Sequence, residues 1–294
     1  MKSGTVVIIG RPNVGKSTLL NRLLGEKVAI VSNKPQTTRT RILGVAHLPE
    51  AQIAFLDTPG LHRPQDRLNA RMVQTTLDTL DAGDVVYVVV DAARQTAHLD
   101  QAVVQEVRRA LKNHERPVVL VLNKIDVVRK PLLLPLLDAY NRLYPWTALI
   151  PISAKTGDGV DRLLAATVEA LPEGEPRYEA DMLTDQSMRM LAAELIREQI
   201  LHETEEEVPH SVAVDIEEFK EEGGLARIGA TVLVEKDSHK GILIGQHGAR
   251  LKRVGTNARL GMERLFGMKV FLQLWVKVRE EWRQDERLLA ELGY

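Results

Sequence analysis

Lys16 and Ser17 stand directly after a loop bracketed by two glycines, Gly10-Arg11-Pro12-Asn13-Val14-Gly15. An ammonium, a hydroxyl and a chain able to turn its N–H groups inward are what a phosphate group with its Mg²⁺ requires. Gly10 and Gly15 let the backbone curl into an anion-sized hollow, Lys16 reaches the β- and γ-phosphates, and Ser17 ligates Mg²⁺. An apolar strand precedes the loop and an apolar-periodic helix follows it through Thr18, so the positive end of that helix adds to the hollow.

Three more stretches stand at the ends of apolar runs. In Asp57-Thr58-Pro59-Gly60, the carboxylate can hold Mg²⁺ through its shell and the Gly60 amide can meet a γ-phosphate. In Asn123-Lys124-Ile125-Asp126, the Asp126 carboxylate can accept from both the N1–H and the 2-amino group of guanine. Adenine offers neither donor and is rejected by the unpaired carboxylate. Ser153-Ala154-Lys155 can close over the base oxygen with a backbone amide. Taken together, residues Gly10 through Thr18, Asp57–Gly60, Asn123, Lys124, Asp126 and Ser153–Lys155 form an expected nucleotide site.

A second glycine loop, Gly245-Gln246-His247-Gly248, stands about 230 residues further on. Ile242-Leu243-Ile244 precede it, and Ala249-Arg250-Leu251-Lys252-Arg253-Val254 begin a basic amphipathic helix. A GXXG sequence alone means little, but in this setting it resembles the loop of KH domains, which lies between two helices and clamps a four-nucleotide single-stranded backbone. Lys240, Arg250, Lys252 and Arg253 are the expected phosphate contacts. Gln246 and His247 stand where a basic residue is common, which weakens the charge of the clamp itself.

These loops need elements to hold them. Strands are expected at Thr5–Ile9, Ile42–His47, Gln52–Leu56, Val85–Val90, Val118–Leu122 and Ala148–Ile152. Helices are expected at Lys16–Leu24, Leu99–Leu111, Pro131–Leu143 and Val160–Leu171. The alternation predicts an α/β domain with a doubly wound, mostly parallel sheet. PEGEPRYEAD, from Pro172, reads as a linker. An amphipathic helix at Thr184–Glu203, strands at Ser211–Phe219, Ala226–Glu235 and Lys269–Val278, and short helices around the second loop predict a smaller α+β domain. Trp275 and Trp282 are read chiefly as core or domain-closing residues, with base stacking as the alternative.

At 294 residues, with 44% hydrophobic and 27% charged side chains, the chain suits two soluble domains. It has no cysteine, which excludes disulfides, thiolate metal sites and cysteine nucleophiles. No apolar run approaches membrane-spanning length, and the strand pattern begins almost at once without a signal peptide; a cytoplasmic protein is expected. The net charge of −1 hides a segregation. Residues 194–222 carry 11 acidic and 2 basic side chains, read as a solvated face, whereas residues 236–279 carry 10 basic and 2 acidic ones. The basic stretch surrounds the second glycine loop and suits a polyanion.

GRPNVGKS, PQTTR, DTPG, NKID and SAK resemble the nucleotide signatures of the translation-factor-related GTPases. From Val6 to WVKVREEW and the terminal DERLLAELGY, the chain is similar to the Era-like GTPases that join such a domain to a KH domain. The resemblance implies a P-loop GTPase domain over 1–171, a linker over 172–183 and a type II KH domain with a C-terminal helix over 184–294. It implies hydrolysis of GTP to GDP and phosphate as a conformational switch, with Mg²⁺ as cofactor. It also implies binding to the 3′ end of 16S rRNA and a part in 30S subunit assembly and maturation, by a monomer with some peripheral membrane association. Of Thr37 and Thr38, Thr38 is the expected Mg²⁺ ligand in the first switch. The catalytic group is then Asn13, Lys16, Thr38 and Gly60, with Asn13 matching the residue that helps to hold K⁺ in some relatives. Leu61 occupies the position from which a glutamine orients water in many GTPases, so slow intrinsic hydrolysis is expected. His62 beside it is read as a bystander rather than a base.

Other classes fit less well. The GTPases of tRNA-modifying enzymes end in a reactive cysteine motif that is missing here. A membrane signalling GTPase would use the basic stretch on lipid alone, and an ATP kinase is opposed by Asn123 and Asp126.

Overall fold

Runs such as Val85–Val90 have no charged side chain, and only the Tyr87 hydroxyl as a polar group, to turn toward water, so a sheet built from them must be covered on both faces. In the computed structural model, which describes residues 1–62, 64–94, 97–110, 116–205 and 208–294, this is how the first part of the chain folds. Six strands, β1 (Lys2–Gly10), β2 (Ile42–His47), β3 (Ala51–Asp57), β4 (Val85–Asp91), β5 (Val118–Asn123) and β6 (Ala148–Pro151), lie in the order β2-β3-β1-β4-β5-β6. All neighbours are parallel except β2 and β3. Alternate residues feed two core layers. Val6 and Ile8 pack with α1 (Lys16–Leu24) and α5 (Val160–Ala170), while Val7 and Ile9 face a layer that holds residues of α2 (Arg67–Leu80), α3 (Ala97–Ala110) and α4 (Leu133–Asn141). The carboxyl ends of β1, β3 and β5 deliver the Gly10, Asp57 and Asn123 motifs, as a doubly wound sheet requires.

Two expected helices have different bounds. The helix expected at Pro131–Leu143 begins only at Leu133, after a 3₁₀ turn over Lys130–Leu132, because two prolines remove early N–H donors. The one expected at Leu99–Leu111 runs over Ala97–Ala110, and Leu111 lies outside the described residues.

The stretch 172–183, read as a linker, is bonded along the sheet. Ser3 donates to the Pro172 carbonyl and Val45 to that of Leu183. The Gln52 side chain accepts from the Arg177 and Tyr178 amides at 2.7 and 3.0 Å and donates to the Tyr178 carbonyl. The first compact unit accordingly covers 1–29, 38–63 and 72–185. The stretch 172–183 has a linker's composition, but Gln52 and the backbones of β1 and β2 give it fixed partners.

The second unit comprises 186–294 with residues 30–37 and 64–71. Strands β7 (Ala213–Glu222), β8 (Leu225–Val234) and β9 (Lys269–Val278) form a sheet in that order, antiparallel then parallel, with a bulge at Ile216/Glu218. Helices α6 (Met188–Glu203), α7 (Asp237–Ile244) and α8 (Ala249–Phe266) supply the rest of the core, and α9 (Glu286–Glu291) follows, capped by Asp285. The helix expected from Thr184 starts at Met188, where the Ser187 hydroxyl accepts from the Met190 amide and caps it. Nor is it simply amphipathic. Arg197 and Glu198 are as buried as Leu195 and Ile196, because both charged residues hold the 30–37 segment. The acidic stretch is therefore only partly a solvated face; Glu206 and Glu207 within it lie outside the described residues.

Candidate functional site

The phosphate loop has the backbone its glycines predict. Gly10, Asn13 and Gly15 all have positive φ, and added Cβ atoms at Gly10 and Gly15 would lie 2.3 Å from the Val89 carbonyl and the Asn123 amide nitrogen. Neither position admits a larger residue. Lys16 is buried with its ammonium 3.3 and 3.5 Å from the Arg11 and Gly10 carbonyls. Burial lowers its pKa, an effect that the Asp57 charge opposes.

Three oxygens converge beside it. The Ser17 hydroxyl donates to Asp57 Oδ2 at 2.7 Å and lies 2.8 Å from the Thr38 hydroxyl. Asp57 Oδ1 is buried with no hydrogen-bond partner. Burial pushes the Asp57 carboxyl above the ordinary carboxylate range, against the pull of Lys16 and Ser17. A hydroxyl pair and a carboxylate oxygen left unsatisfied make a hard-oxygen donor set suited to Mg²⁺ supplemented by phosphate and water. Among the described residues no cluster of His, Cys, Asp or Glu could hold a metal by itself. Thr37, the other candidate in PQTTR, donates its hydroxyl to the Lys34 carbonyl at 2.7 Å and is turned into its own loop.

Thr58 and Pro59 have inward roles: the Thr58 hydroxyl donates to the Ile8 carbonyl, and the Pro59 carbonyl accepts from Thr76. Gly60 presses on the phosphate loop so closely that a Cβ would sit 2.7 Å from the Pro12 nitrogen. The next amide, of Leu61, donates to the Gly10 carbonyl, and the Leu61 side chain joins the core. His62 has its Nδ1 2.6 Å from the Gly60 carbonyl.

Asn123 proves to be a brace. Its Nδ2 donates to the Val14 carbonyl at 2.8 Å, and its Oδ1 accepts from the Lys124 and Ala154 amides at 2.8 and 2.9 Å. One side chain thus ties the phosphate loop to both base-side motifs. Lys124 does similar work, donating to the Asn13 carbonyl and to Asp91 Oδ2, each at 2.7 Å. Asp91 was not anticipated; the one signal for it is an acid ending the apolar run Val85–Val90. Arg22 was also missed, and it donates to the Ala154 and Lys155 carbonyls from α1. Asp126 is exposed, and Ser153 orients it with a 2.7 Å hydrogen bond. A carboxylate presented in this way can accept from two adjacent donors on a base edge.

In the second unit, Gly245, His247 and Gly248 have φ of 72°, 50° and 77°, which breaks α7 from α8 and exposes the Gln246–His247 backbone. A Cβ on Gly245 would meet that of Arg250 at 2.9 Å. Beside the loop lies a groove of about 620 Å³ lined by Gly241, Ile242, Gly245, Gln246, Ala249 and the two arginines Arg250 and Arg253. The four expected phosphate contacts divide. Arg250 turns back to the Ile242 carbonyl, and Arg253 pairs with Glu203 at 2.8 Å, while the Lys240 and Lys252 ammonium groups form no such bond among the described residues. Trp282 is buried and donates to the Ser211 carbonyl, as a core residue should. Trp275 departs from expectation: 46% of it is exposed, because it lies on the sheet face away from the helices.

Fold and site define a P-loop GTPase joined to a type II KH domain. A 50S ribosome-binding GTPase family matches residues 5–124, and a KH domain family matches residues 207–283. The chain belongs to the Era family of GTPases and is a GTP hydrolase. GTPase Era of Geobacter metallireducens is 49% identical over 100% of this chain and 98% of its own. Two solved Era structures each cover 100% of this chain and 99% of their own with a TM-score of 0.95. One is an Aquifex aeolicus Era variant bound to GDP and AlF₄⁻, 43% identical; the other is Era with MgGDPNP and nucleotides 1506–1542 of 16S ribosomal RNA, 42% identical.

Proposed function

We propose that this GTPase binds the 3′ region of 16S rRNA and acts in assembly and maturation of the 30S subunit. GTP bound between Gly10 and Lys155 is the switch, and the KH domain is the address. The observation that carries this reading is the pairing, in one chain, of the Ser17–Thr38–Asp57 oxygen cluster with the GXXG groove. The relative bound to nucleotides 1506–1542 supports the choice of RNA. In this reading Ser17, Thr38 and Asp57 hold Mg²⁺, Lys16 and the loop amides hold the phosphates, and Asp126 reads guanine. Gly245–Gly248 approach the RNA backbone with Lys240 and Lys252, and Arg250 and Arg253 join them by exchanging their internal partners for phosphates. The functional parts run over 1–171 and 184–294, joined through 172–183.

With Leu61 in the core, no side chain at that position orients water. We assign part of the missing stabilisation to K⁺ held with the help of Asn13, whose left-handed backbone lies within the phosphate loop. Equal hydrolysis rates in K⁺ and Na⁺ at matched ionic strength would reject this role. The protein acts as a cytoplasmic monomer, with reversible peripheral membrane association through the basic residues of 236–279. No described helix is long and apolar enough to span a bilayer. Vesicle flotation with and without competing RNA tests the membrane part.

The direct test of the RNA assignment is binding of an RNA matching nucleotides 1506–1542 against a scrambled one, at fixed salt because phosphate contacts are salt-sensitive. A clear preference for the matching RNA is expected. Equal affinities would overturn the assignment.

A further inference from the structure

β9 turns alternate side chains outward, and the outward row reads Lys269, Phe271, Gln273, Trp275, Lys277, every one exposed. Scattered apolar residues on a surface need no explanation. Here, however, two large aromatics stand on one strand face in a chain with only 4 Phe and 3 Trp, each with 46% of its surface open. At about 3.3 Å per residue they are roughly 13 Å apart along the strand.

Both rings are supported from the neighbouring strand. The Trp275 indole lies across Gly229 of β8, where an added Cβ would come 3.3 Å from the ring. Gly229 has no positive φ, so close approach of the indole is the reason visible for a glycine inside this strand. The Arg227 guanidinium sits over the Phe271 ring, 5.7 Å from its centre. Neither the Trp275 indole N–H nor the Gln273 amide finds a hydrogen-bond partner among the described residues. The row therefore presents two π-faces, unused donors between them and a lysine at each end.

We propose that this row is a second RNA surface, on which bases of a single strand stack on Phe271 and Trp275 while Lys269 and Lys277 meet phosphates. It rests on the reading that the KH domain binds RNA, and extends the bound strand beyond the four nucleotides a GXXG loop clamps. β9 is the edge strand against whose inner side α7 and α8, the helices flanking the clamp, both pack. A strand leaving the groove around that edge meets the outward row. Charge favours RNA over a membrane. Glu217 and Glu218 of β7 share the face, with Glu217 bonded to Thr231 and Lys277. A flat anionic bilayer would be pressed onto these carboxylates, whereas a single strand can follow β9 alone.

The test measures affinity for a four-nucleotide RNA and for a strand about three times as long, in wild type and in a Phe271→Leu/Trp275→Leu variant. Leucines keep Gly229 covered but remove the π-faces. The expected result is an unchanged affinity for the short RNA and a loss of about tenfold or more for the long one, with Trp275→Phe alone restoring most of it. Equal behaviour of variant and wild type on both RNAs overturns the proposal, as does an equal loss on both. Loss of binding to phosphatidylglycerol vesicles with long-RNA binding intact would also overturn it, in favour of a lipid surface. Failure of the wild type to bind either RNA would remove the KH reading itself, which separates the two failures.

Discussion

Replacing Arg197 by methionine should weaken binding of a GTP analogue more than binding of GDP. The Arg197 side chain is 1% exposed, donates to the Thr37 carbonyl and pairs with Glu194, which is 26% exposed. Burial alone would lower the guanidinium pKa, but Glu194, together with Tyr294 and Glu198, more than offsets it, so the group is charged. Methionine keeps the volume and removes the charged donor. A hydrogen bond to a charged group contributes about 1.5–3 kcal/mol. Arg197 Nη1 has no partner in the wild type, and its removal returns about 1 kcal/mol of that. Glu194 regains water at its open side. A net loss of about 0.5–2 kcal/mol in holding the 30–37 segment follows, and Thr38, the next residue, is the one bonded to Ser17. A competent state made rarer by that amount raises the apparent Kd for a ligand needing Thr38 by about 2- to 30-fold. Titration of fluorescent GTP-analogue and GDP derivatives, with and without Mg²⁺, reads the difference. An equal loss for both nucleotides, or no loss, would refute the reasoning.

Asp126→Asn should cost GTP at least about a hundredfold in affinity, since two charge-assisted bonds are lost, and should improve xanthosine triphosphate, whose base offers an acceptor where guanine has a donor; competition binding reads both. Gly60→Ala should abolish hydrolysis while GDP binding persists, because a Cβ 2.7 Å from the Pro12 nitrogen cannot fit the closed loop; single-turnover hydrolysis beside GDP titration checks this. The raised Asp57 pKa makes Mg²⁺ affinity fall on acidification at higher pH than an ordinary carboxylate would. It also makes the ligand-free protein lose stability as pH rises from the unfolded carboxylate's pKa through the folded one, since the folded state binds the extra proton. Metal titrations and melting curves across pH measure the two effects. Removing nucleotide present at 100 times its Kd should lower the stability of the first unit by about 2.7 kcal/mol, seen as a lower melting transition.

Much of this was legible because phosphate and base recognition are local. Gly10–Ser17, Asp57–Gly60 and Asn123–Asp126 each carry their signature within a few residues, and the apolar runs before them admit little but a buried strand. What escaped depends on pairing across the chain. Asp91, Arg22 and the bracing role of Asn123 follow from which strand ends become neighbours, which no short window contains. The 172–183 segment has a linker's composition but finds partners in Gln52 and the edge of the sheet. Trp275 was misread because hydrophobicity alone does not say which face of β9 a residue occupies. Arg197 and Glu198 broke the helical pattern because they serve a segment some 160 residues away.

The central claim is that nucleotide state governs RNA binding. The most direct measurement is the affinity for the RNA matching nucleotides 1506–1542, with the protein held first with a nonhydrolysable GTP analogue and then with GDP, both with Mg²⁺. Tighter binding in the GTP-like state, with the scrambled RNA weak in both, is the predicted result. The same affinity in both states would contradict the switch.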